Sequence, residues 1–243
     1  MEKSTEQKIY EKFLGQFKEH VEESREVDNE EYEIFYAYGP LSDSYWTSKP
    51  RVLVCNLEAY DEREGDNEGR VAVDIKLYKE WMRARTGKNT ARFIAGLIAN
   101  INKETTCESI RDSNLNDQKL LGYMSNVAYI NFRLSSGKGS KADYRAIWDY
   151  VNNYGDYYID QIKKLSPDII IIGGKVGCEI YNSLYKTKLN FNSTLLLNSQ
   201  VICSIRHPSR INYKEYDQRI IEIENCYQDL NKVSVSTDRS KSR

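Results

Sequence analysis

Four short apolar runs constrain the fold of this chain more than any other feature of its sequence. They occupy residues 51–55, 127–130, 168–173 and 201–204, and each contains valine or isoleucine and few polar side chains. Strands that are buried on both faces show this continuous pattern, whereas strands with one solvent-exposed face alternate apolar and polar residues. The runs therefore predict four buried strands of a parallel sheet.

Helical stretches alternate with these runs along the chain. The predicted helices of the body cover residues 71–84, 90–101, 142–165, 175–185 and 213–231. Parallel strands need long crossover connections, and the helices of such crossovers cover the faces of the sheet. We therefore expect an α/β protein with three layers, αβα, around a four-stranded parallel sheet.

The two ends of the chain differ from this body. Residues 1–33 contain a predicted amphipathic helix and carry eleven acidic against five basic side chains, while the remainder carries twenty-five against thirty. Residues 232–243 show no apolar period and are predicted to form a flexible tail. We expect one α/β domain over residues 34–231, whose mildly basic body permits nucleic-acid binding without demanding it.

Composition excludes several classes of protein. With 40% hydrophobic and 29% charged residues, the chain has an ordinary globular balance. It contains no long apolar run and no signal-peptide pattern, so we expect a cytoplasmic protein without a membrane partner. Five cysteines without a Cys-x-x-Cys pair indicate neither a disulfide framework nor a cysteine-bound metal.

The peptides that follow the predicted strands carry the functional argument, because open parallel sheets bind ligands beyond the carboxyl ends of their strands. They are Asn56-Leu-Glu-Ala-Tyr-Asp61, Asn131-Phe-Arg-Leu134, Gly173-Gly-Lys175 and Arg206-His-Pro-Ser-Arg210. In order, spacing and residue type, the four peptides with their strands resemble the uracil-DNA glycosylase superfamily. The resemblance covers roughly residues 45–225. It implies that family's fold and a monofunctional hydrolase that needs no cofactor or metal.

The resemblance assigns catalytic roles to Glu58 and His207. Hydrolysis of a glycosidic bond builds positive charge on the sugar and negative charge on the departing base. Glu58 would stabilise the sugar and orient or deprotonate the attacking water, and His207 would donate a hydrogen bond to the base oxygen. The alternatives are an exposed carboxylate in an acid-rich stretch and a loop histidine that caps backbone groups.

The base-binding residues implied by the resemblance are Asn131, Tyr60 and Asn56. The amide of Asn131 offers a donor and an acceptor, as reading the Watson–Crick edge of an extruded base requires. A turn-forming asparagine is the alternative. Tyr60 would pack against the base, and Asn56 replaces the family's opening glycine. Since Ala59 and Asp61 also depart from the family pattern, we expect a pocket unlike the standard uracil pocket.

Ser209, Arg210, Lys214 and Lys138 are the candidate contacts to a DNA backbone. A solvated loop explains each of them equally well. Two glycine-containing segments hint at phosphate loops but lack the required spacing. Residues 86–90 are predicted to be a turn between helices, and residues 173–177 a close contact between strand and helix.

The leading hypothesis is a DNA glycosylase that excises a flipped uracil-like or modified pyrimidine base. The acidic residues 61–68 suit a bulkier, sugar-bearing base, which indicates defence against modified phage DNA beside DNA repair. Two other classes stay open. One is a catalytically silent module that binds DNA or a protein partner, and the other is a nucleotide-binding hydrolase. We expect a monomer.

Overall fold

A mixed sheet of six strands forms the centre of the molecule. The computed structural model describes residues 35–57, 70–113, 115–133, 142–210 and 213–241, and the predicted N-terminal helix lies outside them. The strands in these ranges are β1 (Phe35–Ala37), β2 (Gly39–Pro40), β3 (Val52–Asn56), β4 (Arg70–Ala72), β5 (Val127–Asn131), β6 (Ile169–Gly173), β7 (Thr194–Leu197) and β8 (Gln200–Ile205).

The four predicted strands form the middle of the sheet. The strand order is β2-β5-β3-β6-β8-β7, and β5, β3, β6 and β8 run parallel. All their residues except Gln200 are buried, as the continuous apolar runs predict. The expected size of the sheet is wrong, however, because β2 and β7 add antiparallel edges. β2 has only two residues, and the three leucines of β7 form a short run without valine or isoleucine, so neither sequence distinguishes a strand.

Helices cover both faces of the sheet. They are α1 (Ile75–Trp81), α2 (Arg85–Ile101), α3 (Cys107–Asp112), α4 (Asp117–Met124), α5 (Tyr144–Leu165), α6 (Gly174–Tyr185) and α7 (Tyr213–Lys241). Gly177 of α6 packs on Ile172 of the sheet. The neighbouring position Ile171 pairs with Cys203. The charge of Arg219 on α7 affects the pKa of the Cys203 thiol, so this thiol lies on the α7 side of the sheet. Adjacent strand residues face opposite ways, so α6 and α7 lie on opposite faces. In the described part of the chain, no helix is long and apolar enough to cross a membrane.

The boundary between α1 and α2 differs from the prediction. The Asp74 carboxylate caps α1 by accepting hydrogen bonds from the backbone N–H groups of Lys76 and Leu77, both at 2.9 Å. Residues 86–90 do not form the predicted connection between two helices. They lie in the first helical turns of α2. Gly87 permits this early start, since a Cβ atom there would collide with the carbonyl oxygen of Trp81.

Three other helical features escaped the prediction. α3 and α4 have six and eight residues, too short to show a clear apolar period. α7 continues to Lys241, into the segment predicted as a tail. Residues 232–241 contain no glycine or proline that would end a helix.

Candidate functional site

The carboxyl ends of the four parallel strands form a continuous row. Asn56 and Asn131 are register partners, and so are Gly173 and Ile205. The pairing of Val54 with Ile171 continues, two residues later, to place Gly173 beside Asn56. The last residues of β5, β3, β6 and β8 are therefore neighbours at the carboxyl ends of the parallel strands.

The middle of this row is where the direction of the crossovers reverses. The chain passes from β3 to β5 on one side, then returns across β3 to β6 and β8 on the other side. Open α/β sheets bind ligands at such a switch point, beyond the carboxyl ends of the two strands that flank it. Here these ends are Asn56 and Gly173.

Asn56 is a buried amide with one half of its hydrogen-bonding capacity unused. Its side chain is 4% exposed, and its Nδ2 donates a hydrogen bond to the Tyr129 hydroxyl. Its Oδ1 occupies the space that a Cβ atom on Gly173 would need. This oxygen has no hydrogen-bond partner among the described residues. The glycine at the end of β6 is thus required for the position of the amide.

Asn131 repeats this arrangement on the neighbouring strand. It is 2% exposed, and its Nδ2 donates to the Tyr38 hydroxyl at 2.7 Å. Its Oδ1 also lacks a partner in the part of the chain that the structure describes. A turn-forming asparagine would bond to backbone nearby. The amide instead bonds to a tyrosine 93 residues earlier in the sequence, so the structure does not favour the turn-forming alternative.

An aromatic cluster lies beside the two amides. The ring of Tyr129 is 6.3 Å from that of Tyr38, 5.9 Å from that of Tyr78 and 5.7 Å from that of Trp81. Burial raises the pKa of Tyr129 to about 12, so its hydroxyl stays protonated at neutral pH. The sequence contains nineteen tyrosines, and no local signal distinguishes Tyr38 and Tyr129 from the rest.

His207 lies next to the first residue of α6. A Cβ atom on Gly174 would be 3.9 Å from the Cβ of His207, and Gly174 has a φ of 82°, a conformation that favours glycine. Burial, and next the charge of Arg210, lower the pKa of His207. The imidazole is therefore neutral at pH 7 and has one N–H to donate.

The His207 loop is held from two helices. Asn89 of α2 donates from Nδ2 to the carbonyl oxygen of Pro208 at 2.8 Å, and the Tyr216 hydroxyl of α7 lies 3.4 Å from the carbonyl oxygen of Asn89. Within the loop, the backbone N–H of Arg210 donates to the carbonyl oxygen of His207 at 2.8 Å. Sequence reasoning missed Asn89. A polar residue at the start of an apolar helix is the signal that could have found it.

The helix α6 points its N-terminus at the same place. No described side chain caps its first N–H groups, and such groups favour a nearby negative charge. The predicted close packing of residues 173–177 is confirmed, because a Cβ atom on Gly177 would be 3.1 Å from Cγ2 of Ile172. A structural and an electrostatic role therefore coincide in this segment.

The basic side chains near His207 differ in their surroundings. Arg210 and Lys214 are exposed, and Arg206 forms an ion pair with Glu215 at 3.0 Å. We call Arg210 and Lys214, the two exposed side chains that flank the end of the His207 loop in the sequence, the rim residues. The side chain of Ser209 is not described.

Three predicted site residues, Glu58, Tyr60 and Lys138, lie outside the described residues, so their roles stay predictions. Within the described ranges, no group of three His, Cys, Asp or Glu side chains is placed to hold a metal ion. The described groups can do three things. Two amides and an aromatic cluster can hold a planar heterocycle, a neutral histidine can donate a hydrogen bond, and a helix N-terminus can stabilise a negative charge.

No protein-family model matches the chain, and no curated protein is significantly similar to it.

Proposed function

We propose that this protein is a monofunctional DNA glycosylase that hydrolyses the N-glycosidic bond of a flipped pyrimidine, uracil-like or modified. The observation that carries the proposal is the row of strand ends with Asn131, Asn56 and Gly173 at the switch point of the sheet, together with the neutral His207 beside Gly174. A base that leaves the DNA stack needs polar groups for its edge and aromatic surface for its ring. Both are present at this edge.

The chemistry follows from how charge develops during the reaction. As the bond between sugar and base breaks, the electron pair goes to the base, and the sugar becomes an oxocarbenium-like cation. The N–H of His207 and the N-terminus of α6 would stabilise the base anion. Glu58 would stabilise the cation and take the proton of the attacking water. The water oxygen bonds to the sugar, and the proton taken by Glu58 passes through solvent to the base anion, which restores the carboxylate.

The resemblance to the uracil-DNA glycosylase superfamily supports the same assignment and a glycosylase-like αβα fold. Glu58 and Tyr60 follow β3 in the sequence, and Asn131 is the last residue of β5. His207 follows β8. Arg210, Lys214, Ser209 and Lys138 would contact the DNA backbone. We infer a monomeric cytoplasmic enzyme that acts in DNA repair or against modified phage DNA.

The test is base loss from defined DNA. Purified protein is incubated with single- and double-stranded oligonucleotides that each carry one uracil, thymine, cytosine or 5-hydroxymethylpyrimidine, and alkali then cleaves the strand at abasic sites. We expect strand cleavage for at least one base. Glu58→Gln should reduce it about a hundred- to a thousandfold, while Glu108→Gln, a change of an exposed carboxylate on α3, should leave it unchanged.

Two results would count against the proposal. Binding of the oligonucleotides without loss of any base supports the catalytically silent module instead. Base loss at the wild-type rate in Glu58→Gln removes the carboxylate from the mechanism.

A further inference from the structure

The first turns of α2 contain a buried asparagine at a position that does not suit this residue type. Asn89 is the fifth residue of α2 and is 7% exposed, and the buried residues that follow it, from Ala91 to Ala99, are apolar. Inside a helix, asparagine is less favourable than alanine or leucine. A buried amide also reduces stability unless it is hydrogen-bonded. A residue that breaks both preferences indicates a specific role.

The Asn89 amide is bonded to the loop of His207. Its Nδ2 donates to the carbonyl oxygen of Pro208 at 2.8 Å, across 119 residues of sequence. Pro208 has no N–H group, and its ring fixes φ at about −65°. Holding the Pro208 carbonyl oxygen therefore constrains the peptide that joins this proline to His207. The backbone N–H of Arg210, which donates to the His207 carbonyl oxygen at 2.8 Å, closes the same loop.

The start of α2 is itself held in place. The Tyr78 hydroxyl of α1 donates to the carbonyl oxygen of Gly87 at 3.0 Å. Tyr78 is 1% exposed, and its ring lies 5.9 Å from that of Tyr129 in the aromatic cluster. Asn89 follows Gly87 by two residues. The aromatic cluster and the His207 loop are therefore attached to the same turn of α2.

We propose that Asn89 is a positioning residue for His207, which keeps the imidazole N–H at the place where the base anion forms by holding the Pro208 carbonyl oxygen. The inference rests on the proposed function and adds a residue to its machinery. Asn89 acts through His207 and is not itself a catalytic residue. A misplacement of about 1 Å can reduce the rate of a reaction about a hundredfold. Loss of this hydrogen bond should therefore lower the excision rate even where the protein stays folded.

The experiment is a double-mutant cycle between Asn89 and His207. Single-turnover rates of base loss, with protein in excess, are measured for wild type, Asn89→Leu, His207→Ala and the double variant, the slow variants over longer incubations. Leucine fills the space of asparagine but cannot donate. We expect Asn89→Leu to lower the wild-type rate about ten- to a hundredfold. In the His207→Ala background it should have no further effect, because the group that it positions is absent.

The matched control is Asn100→Leu, the same change in the same helix. The Nδ2 of Asn100 donates to the Glu224 carboxylate of α7 and not to the His207 loop, so the rate should stay at the wild-type value while the variant is folded. If Asn89→Leu does not fold, Asn89→Ser replaces it in the cycle.

The outcomes separate the inference from the proposed function. An equal loss of rate in both backgrounds shows that Asn89 has a structural role alone, and it overturns the inference. A wild-type rate in the folded Asn89 variant does the same, and both results keep the proposed function. Absence of base loss with the wild-type protein overturns both.

Discussion

The two ends of the four parallel strands differ in how their polar groups are paired. We call the side of the sheet where these strands begin the amino edge, and the side where they end the carboxyl edge. At the amino edge, charged groups pair with one another: the Asp168 carboxylate accepts from the backbone N–H of Arg51 at 2.8 Å and forms ion pairs with Arg51 and Lys49 at 3.6 and 3.4 Å. The Nε of Arg51 takes part in its ion pair without a hydrogen bond of its own. At the carboxyl edge, Asn56 and Asn131 each keep a buried oxygen that no described group pairs. The first arrangement stabilises the fold, and the second leaves capacity for a ligand.

The loss of stability that unpaired oxygens cause at the carboxyl edge supports a role for this edge in ligand binding. An unpaired buried acceptor costs about 1–3 kcal/mol, and natural proteins keep few of them. Two such oxygens side by side reduce stability unless another molecule pairs them. Other buried side chains, such as Gln161 of α5, also have atoms without a hydrogen-bond partner among the described residues, but Asn56 and Asn131 are register partners at neighbouring strand ends.

The largest effect is expected for His207→Ala. Loss of the donor to the leaving base should reduce the excision rate about a hundred- to a thousandfold. The melting temperature should change little, because the side chain is not part of the apolar core. His20→Ala changes the other of the two histidines in the chain. It is the control and should retain the wild-type rate.

For Gly173→Ala we expect a smaller fall in the excision rate, together with a loss of stability. The added Cβ atom would overlap Oδ1 of Asn56 and push the amide away. Excision should fall at least tenfold, and the free energy of unfolding should drop by about 1–3 kcal/mol. Gly122→Ala is the matched control, since no atom lies within 4 Å of the added methyl group. An unchanged excision rate in Gly173→Ala would separate Asn56 from the site.

The amino edge should show the opposite behaviour. Asp168→Ala removes the acceptor for the backbone N–H of Arg51 and both ion pairs. We expect urea unfolding to show a loss of about 1–2 kcal/mol, with the excision rate unchanged at a temperature where the variant is folded. A fall in rate beyond the fraction unfolded would contradict the division between the two edges.

DNA affinity should depend on salt through the rim of the carboxyl edge. Replacing Arg210 or Lys214 with alanine should each reduce the slope of log affinity against log salt by about one. Lys232→Ala serves as the control, because its ammonium pairs with Asp229 at 3.0 Å. If the slope stays at the wild-type value in both rim variants, DNA runs elsewhere on the surface.

The smallest effect is the pH dependence of stability that arises from His207. Because the folded-state pKa is lowered, the unfolded chain binds a proton more readily than the native protein. Unfolding free energy should therefore fall as pH drops below about 6.5 and level off below the folded-state pKa. Urea unfolding between pH 7.5 and 5 tests this expectation, and His207→Gln should lack this part of the decrease. A His207 resonance that titrates above 6.5 would reverse the sign.

Sequence reasoning succeeded where the determining signal is local. Continuous apolar runs located β3, β5, β6 and β8, while the roles of Asn131 and His207 stay predictions. It failed where the signal is a partner distant in sequence. The edge strands β2 and β7 depend on their neighbours for pairing, and the site partners that the sequence did not reveal lie up to 119 residues from the groups they hold: Tyr38, Tyr129 and Asn89.

A single NMR titration tests the difference between the two edges most directly. Glu58→Gln protein, which should bind without cutting, is mixed with the oligonucleotide that the wild-type protein cleaves fastest, and the side-chain amide signals are followed. Asn56 and Asn131 report on the carboxyl edge, and Gln200, whose Nε2 donates to the Pro167 carbonyl oxygen at 2.8 Å, reports on the amino edge. We expect both asparagine signals to shift while that of Gln200 stays in place. Binding that moves Gln200 and leaves both asparagines unmoved would contradict the account.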